Sequence, residues 1–111
     1  MTPEAQRVAI AEACGWKRDD VCDCWRKPSE GKFAVAFRNG SHQHRQLPDH
    51  RSDLNAMHEA EKVLTEEQRD EYAAMLIITA GTGHVFDIAH LTAAQRAEAF
   101  LRALGKWEED V

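Results

Sequence analysis

Two pairs of residues in the sequence could bind a metal ion. Cys22 and Cys24 are separated by one residue, and so are His42 and His44. Thiolate sulfur and imidazole nitrogen are the ligands that structural zinc sites use, and four of them complete a tetrahedral site. The two pairs therefore raise the hypothesis of a zinc-binding structural protein with these four residues as its ligands.

The predicted strand pairing argues against a shared metal ion. Asn39-Gly40 favours a two-residue hairpin turn after a strand over 33–38, because both residues tolerate positive φ. A strand over 21–26 would pair with the other edge of 33–38, with Cys24 opposite Val35. The cysteines and histidines would then lie roughly 9–10 Å apart, which is two strand spacings. Zinc needs its ligands within about 2.0–2.3 Å, so the metal hypothesis is the weakest and no cofactor is expected.

A basic stretch before the second predicted helix could instead bind an anion. Its members are Arg38, His42, His44, Arg45, His50 and Arg51. The stretch leads into a helix that Ser52 or Asp53 can cap, where free amides and the helix dipole favour negative charge. A small anionic, nucleotide-like ligand is therefore one binding function that stays open, although the Asp53 carboxylate would occupy the helix start itself.

The acidic part of the chain offers a different binding surface. The formal net charge is −5, yet residues 16–51 carry eight Lys/Arg and five Asp/Glu, which leaves −8 for the rest. A dense acidic group comprises Glu66, Glu67, Asp70 and Glu71. Such a surface disfavours direct contact with nucleic acid and can attract a basic partner protein. A solvated helix face is the alternative explanation.

No arrangement of residues predicts catalysis. His58-Glu59 resembles the beginning of a zinc-protease helix, but Lys62 stands where that motif requires its second histidine. Gly81-Thr82-Gly83 follows a predicted helix and precedes a predicted strand, whereas phosphate loops run from strand to helix. The sequence places no base or oxyanion donor beside a cysteine. We therefore expect a protein that is not an enzyme.

Length and patterning predict one α/β domain over residues 1–111. A chain of 111 residues can bury one core but not two. Capping residues, proline and glycine predict helices over 3–14, from the cap at 52 or 53 to 64, from 65 to Gly81, and over 92–104. Alternation and turn residues predict strands over 21–26, 33–38, 41–46 and 84–88. The order α-β-β-β-α-α-β-α, with an antiparallel meander, predicts a three-layer α/β/α sandwich.

Apolar residues at helical spacing predict which side of each later helix is buried. For the second helix they are Leu54, Met57, Ala60 and Leu64; for the third, Tyr72, Met75, Leu76 and Thr79; for the last, Ala97, Phe100, Leu101 and Leu104. The acidic group falls outside these sets. It is therefore expected on the solvent side of the third helix.

Three segments resemble the phage ABA sandwich domain family, a group of small bacteriophage and prophage proteins. The segments are Ala9–Trp16, Leu47–Leu64 and Thr92–Glu109. The resemblance implies the same α/β/α sandwich and a phage origin. It assigns no reaction and no functional residue.

Location and partner follow from the ends and composition of the chain. The start, Met-Thr-Pro-Glu, lacks the pattern of a secretion signal, and no apolar run approaches the length of a membrane span. Three cysteines, an odd number, predict reduced thiols. We expect a protein of the bacterial host cytoplasm that contacts neither membrane nor nucleic acid. With the phage resemblance, the favoured function is an accessory protein that binds a host protein, for example to antagonise host defence; an oligomer stays open.

Overall fold

The computed structural model describes residues 1–19, 24–26, 35–37 and 48–109. Regular structure within these ranges is mostly helical. The helices are α1 (Pro3–Ala13), α2 (Leu54–Glu61), α3 (Glu66–Ala80), α4 (Val85–Ala89) and α5 (Ala93–Ala103). The strands lie between α1 and α2 and have three residues each: β1 (Lys17–Asp19), β2 (Cys24–Arg26) and β3 (Val35–Phe37).

Side-chain caps set the starts of the longer helices. At α3 the Thr65 amide donates to Gln68 Oε1 (2.9 Å), and the Gln68 amide donates to Thr65 Oγ1 (3.2 Å). Thr92 and Gln95 repeat this reciprocal pair at α5. Each pair satisfies two amides that a helix start otherwise leaves unbonded. Both capping boxes predicted from the sequence are confirmed.

Helix α5 lies at the centre of the main core, where α1, α2 and α3 all contact it. Its Phe100 and Leu101 side chains are fully buried. The Phe100 ring meets the ring of Tyr72 on α3 edge to face, with centroids 6.1 Å apart. Ala97 and Ala99 on α5 are also fully buried, and their small side chains let neighbouring helices approach closely. The core is therefore built around one helix and not around a sheet.

The predicted buried sides of the helices are largely confirmed. Buried members of the predicted sets are Met57, Ala60, Leu64, Tyr72, Leu76, Ala97, Phe100 and Leu101. Leu54 is the clear exception, because it begins α2 and is 44% exposed. At the first position of a helix a side chain can point past the neighbouring helices, whatever its place in the repeat.

A smaller cluster joins α1 to the strands. Trp16, which precedes β1, and Trp25 on β2 pack with the fully buried Ala11 of α1. β1 pairs antiparallel with β2, and β2 pairs antiparallel with β3. The strands thus pack beside one helix through two indole rings.

The predicted three-layer α/β/α sandwich is wrong. The described chain is mostly helical, and its main core is built from helices around α5 and includes none of the described strand residues. The predicted antiparallel meander over 21–46 is therefore not the middle of the fold. Its third strand, over 41–46, and the Asn39-Gly40 turn lie outside the described residues. The fourth predicted strand, over 84–88, is helix α4.

Residues 84–88 form a helix because their backbone groups are satisfied locally. The Ile88 amide donates to the His84 carbonyl oxygen (3.1 Å), and the His84 amide donates to Thr82 Oγ1 (3.1 Å). A strand would need a paired neighbour for the same groups. None of the described strands pairs with this segment.

The predicted strand register is also wrong. Cys24 pairs with Phe37, and Arg26 pairs with Val35, whereas the sequence placed Cys24 opposite Val35. The observed register therefore differs from the predicted one by two residues. A shift of two leaves each residue on its predicted face of the sheet, since side chains alternate with a period of two.

Replacing Gly81 by alanine should destabilise the protein by about 1–2 kcal/mol, the cost of a left-handed conformation for a residue with a Cβ. Gly81 ends α3 with φ 76° and donates its amide to the Ile77 carbonyl oxygen (2.9 Å). A Cβ at this position would meet nothing within 4 Å, so only the backbone contributes. Urea unfolding followed by circular dichroism measures the change.

Gly83→Ala is the matched control. Gly83 does not adopt positive φ, and a Cβ there also meets nothing within 4 Å. We expect Gly83→Ala to leave stability unchanged or to raise it slightly by restricting the unfolded chain. Equal effects of the two substitutions would contradict the role assigned to Gly81.

Candidate protein-interaction surface

The four acidic residues predicted as a partner surface lie together at the start of α3. Glu66, Glu67, Asp70 and Glu71 are all exposed. Residues three and four apart lie on one side of a helix, so Glu67, Asp70 and Glu71 form one acidic patch. Glu66 and Glu67 also occupy the first turn, where negative charge is favourable beside the helix dipole. The acidic residues of the first turn therefore stabilise the start of α3 in addition to being exposed to a partner.

Large apolar side chains continue this surface beyond the acids. Ile77 and Ile78 on α3 are 44% and 69% exposed, and Val85 and Phe86 on α4 are 81% and 71% exposed. We call these four residues the apolar strip. Single exposed apolar residues are ordinary, but several on two contacting helices are typical of an interaction site.

Two small residues join the acidic patch to the apolar strip. Ala73 and Ala74 are exposed and lie between the two groups on α3. Asp70, Ala74 and Ile78 are each four residues apart, so they follow one line along the helix. The name α3–α4 surface is used for four parts together: the acidic patch, Glu66, these two alanines and the apolar strip.

The buried side of α3 fixes the direction in which this surface faces. Tyr72 and Leu76 are turned into the core. Burial and the Glu61 carboxylate raise the pKa of the Tyr72 hydroxyl, while the nearby Arg96 guanidinium opposes them. Tyr72 is therefore neutral at physiological pH and serves to anchor α3. With that side held in the core, Ile78 remains outside.

Side-chain contacts hold the short helix α4 in place. Arg96 Nη2 on α5 donates to the carbonyl oxygens of Ile88 (3.0 Å) and Ala89 (3.5 Å), at the end of α4. The Phe86 ring stacks on the His90 ring, with centroids 4.1 Å apart. An isolated helix of five residues is not stable in water, so the Arg96 contacts from α5 hold α4 in place, and Phe86 lies on its exposed side.

The predicted anion-binding residues are only partly within the described chain. Arg38, His42, His44 and Arg45 lie outside it. His50 is 3% exposed, and so it is not part of an open basic rim. The Asp53 carboxylate accepts the Asn55 amide (2.9 Å) and thus occupies the start of α2. The described part of this region does not favour an anion.

The turn before α2 is held by another carboxylate. A hydrogen bond from Ser52 Oγ to Asp49 Oδ2 (2.6 Å) lowers the pKa of Asp49, and the charges of Arg7 and Arg51 act in the same direction. Arg51 is half-buried beside this turn. Its charge is thus already opposed by a carboxylate of its own turn.

Only one of the four predicted metal ligands lies within the described residues. Cys22, His42 and His44 lie outside the described residues, and Cys24 is placed only through its backbone pairing in β2. Among the described residues, no group of three or more His, Cys, Asp or Glu could hold a metal ion. The zinc hypothesis stays a prediction.

A groove of about 490 Å³ lies between α1 and the first two strands. Val8 and Glu12 line its helix side, and Lys17 lines its strand side. Trp16 and Trp25 also line it, but they are only 3% and 9% exposed. These small exposed fractions leave little ring area for stacking with a ligand.

Comparison with known proteins does not place the chain in a family: no family model, curated protein or solved structure matches it. The resemblance to phage ABA sandwich proteins, and the phage origin that it implies, therefore stay predictions. In the part of the chain that the structure describes, no helix is both long enough and apolar enough to cross a membrane.

Sequence reasoning missed the apolar strip, although part of its signal was present. Once Tyr72 and Leu76 are assigned to the core, Ile77 and Ile78 fall outside the buried stripe of α3, and the structure leaves them 44% and 69% exposed. The prediction of a strand over 84–88 assigned Val85 and Phe86 to a sheet, so their exposure on a helix was not expected. A helix with apolar residues outside its buried stripe is the pattern that could have revealed the site.

Proposed function

We propose that this protein is a non-catalytic binding protein that recognises another protein through its α3–α4 surface. The observation that carries the proposal is the exposure of Ile78 on α3 and of Val85 and Phe86 on the contacting helix α4, together with the acidic patch at the start of α3. Protein interfaces combine a desolvated apolar centre with a polar rim, and the α3–α4 surface has both parts.

The energetics of burial support a binding role for the apolar strip. Fully burying a Val, Ile or Phe side chain contributes about 1.5–3 kcal/mol. The apolar strip contains no ionisable group, so it contributes to the free energy of binding only through the apolar area that a partner removes from water. The acidic patch repels phosphate, which disfavours nucleic acid and anionic membranes as partners. A protein partner can both cover the apolar strip and carry groups that are compatible with the negative charge of the acidic patch.

The identity of the partner rests on the sequence resemblance alone. If the chain is phage-encoded, as the resemblance implies, the partner is a protein of the bacterial host cytoplasm. Antagonism of a host defence component is one role consistent with such binding. The α3–α4 surface itself is compatible with any partner of suitable charge and apolar area.

Reversing charge in the acidic patch should abolish partner capture. Asp70→Lys combined with Glu71→Lys changes two exposed residues that follow the first turn, which leaves the Thr65 cap intact. Like charges facing each other at an interface are strongly unfavourable, so we expect the captured protein to disappear. Affinity capture from bacterial lysate, quantified by mass spectrometry against the unaltered protein, measures this.

Glu12→Lys combined with Glu108→Lys is the control for net charge. Both residues are exposed and lie outside the α3–α4 surface, and the change in net charge is the same. We expect this variant to capture the partner as the unaltered protein does. Equal capture by both double variants would contradict a partner surface on α3.

A further inference from the structure

We infer that the segment recognised by the α3–α4 surface is a helix with basic residues in one half of its length and large apolar residues along one face of the other half. This inference rests on the proposed function and specifies the chemistry of the partner. Its basis is that charge and apolar area on this surface are separated along the axis of α3 and not around it.

The acidic half of the surface lies at one end of α3. Between residues 66 and 71 there are four acidic side chains and one basic one, Arg69, so this segment carries a charge of −3. Ile78 follows Glu67 by eleven residues, which places the two about 16 Å apart along the helix axis. A partner that complements both halves must place cationic groups and apolar groups a similar distance apart.

The shape of the surface favours a helix as the recognised element. Both α3 and α4 have their backbone groups bonded internally, so this surface offers no strand edge to which an extended peptide could add. Ala73 and Ala74 lie at the middle of the surface, and small side chains at that point let a second helix approach closely. An amphipathic helix laid along an apolar helix surface is a common recognition mode.

Two other occupants fit the charges poorly. Symmetric pairing of two copies through α3 would place acids against acids if the helices ran parallel, and would bury acids against Ile78 if they ran antiparallel. An anionic lipid surface would be repelled by Glu67, Asp70 and Glu71. A basic and apolar helix from another protein has neither disadvantage.

Two synthetic peptides test the inference directly. Each has about 18 residues, roughly 27 Å as a helix. The lysine peptide has lysines in its first two turns and leucines along one face of the remaining turns, in an alanine background. The glutamate peptide has glutamate at each lysine position. Isothermal titration calorimetry with the full chain measures their affinities.

We expect the lysine peptide to bind saturably and the glutamate peptide to bind at least about tenfold more weakly. Asp70→Lys combined with Glu71→Lys should reverse this preference, since the acidic patch is then neutralised and partly inverted. Phe86→Ser should weaken the lysine peptide by about tenfold or more, because it removes the apolar contact and leaves the charge. Leu54→Ser combined with Val63→Ser removes exposed apolar residues elsewhere and should change nothing.

Several results would overturn the inference. They are binding of neither peptide, equal binding of both, or lysine-peptide binding that Phe86→Ser does not affect. A dimer in native mass spectrometry that Phe86→Ser abolishes would assign the strip to a second copy. Saturable binding to phosphatidylglycerol vesicles that Phe86→Ser abolishes would assign it to a lipid surface.

Failure of this inference can be told apart from failure of the proposed function. If the peptides do not bind but capture from lysate still depends on Asp70 and Glu71, the α3–α4 surface binds a partner of different chemistry. If capture also ignores these residues, the proposed function fails as well. Circular dichroism and urea unfolding of each variant confirm that the fold is retained, as expected for substitutions at exposed positions.

Discussion

We expect Phe100→Ala to lower the free energy of unfolding by about 3–5 kcal/mol, the range for truncating a buried aromatic residue. Phe100 is fully buried on α5, the helix that α1, α2 and α3 all contact. Its removal leaves a cavity and also deletes the edge-to-face contact with Tyr72. Because folded domains are stable by only about 5–15 kcal/mol, this loss is a large fraction of the stability of a typical domain. The midpoint of urea unfolding measures the loss.

Phe86→Ala is the control for Phe100→Ala, because it removes the same atoms from an exposed position. Phe86 is 71% exposed on α4. Substitutions at exposed positions usually change stability by less than about 0.5 kcal/mol. A loss at Phe86 as large as that at Phe100 would show that α4 is part of the core, contrary to the packing described above.

The largest effect on binding is expected from Ile78→Ser combined with Phe86→Ser. These substitutions remove large apolar side chains from both helices of the α3–α4 surface. Residues at the centre of an interface often cost about 2 kcal/mol or more when truncated, which corresponds to about 30-fold in affinity. We therefore expect capture of the partner from lysate to be lost while the urea midpoint stays nearly unchanged.

Leu54→Ser combined with Val63→Ser is the matched control for the apolar strip. Both residues are apolar and about as exposed as Ile77, at 44% and 43%, but Leu54 begins α2 and Val63 follows its end, so neither lies on α3 or α4. This variant should capture the partner normally. If it loses the partner while the Ile78 and Phe86 variant retains it, the recognition surface lies at α2.

Stability and binding are expected to depend on different faces of the same elements. Tyr72 and Leu76 point from α3 into the core, while Ile77 and Ile78 on the same helix are exposed. On α5, Arg96 contributes to the surface indirectly, because its guanidinium holds the end of α4. Substitutions at the surface can therefore test function without unfolding the chain.

Helix starts and buried stripes could be predicted because they depend on residues close together in the sequence. The Thr65 and Thr92 capping boxes each need a partner only three residues away. The burial of Phe100 and Leu101 follows from the repeat of apolar residues on α5. The exposure of the acidic patch follows in the same way, since those residues fall outside the apolar stripe of α3.

The sequence by itself determined the caps, the inward sides of α3 and α5, and the acidic character of the start of α3, since each depends on side chains within a few turns of one another. Only the tertiary structure decided that none of the described strands pairs with residues 84–88 and that no central sheet separates the helices in the described chain. Strand formation depends on a paired neighbour far away in the sequence. The exposure of Ile78 and Phe86 is equally non-local, because burial depends on which other element covers a side chain.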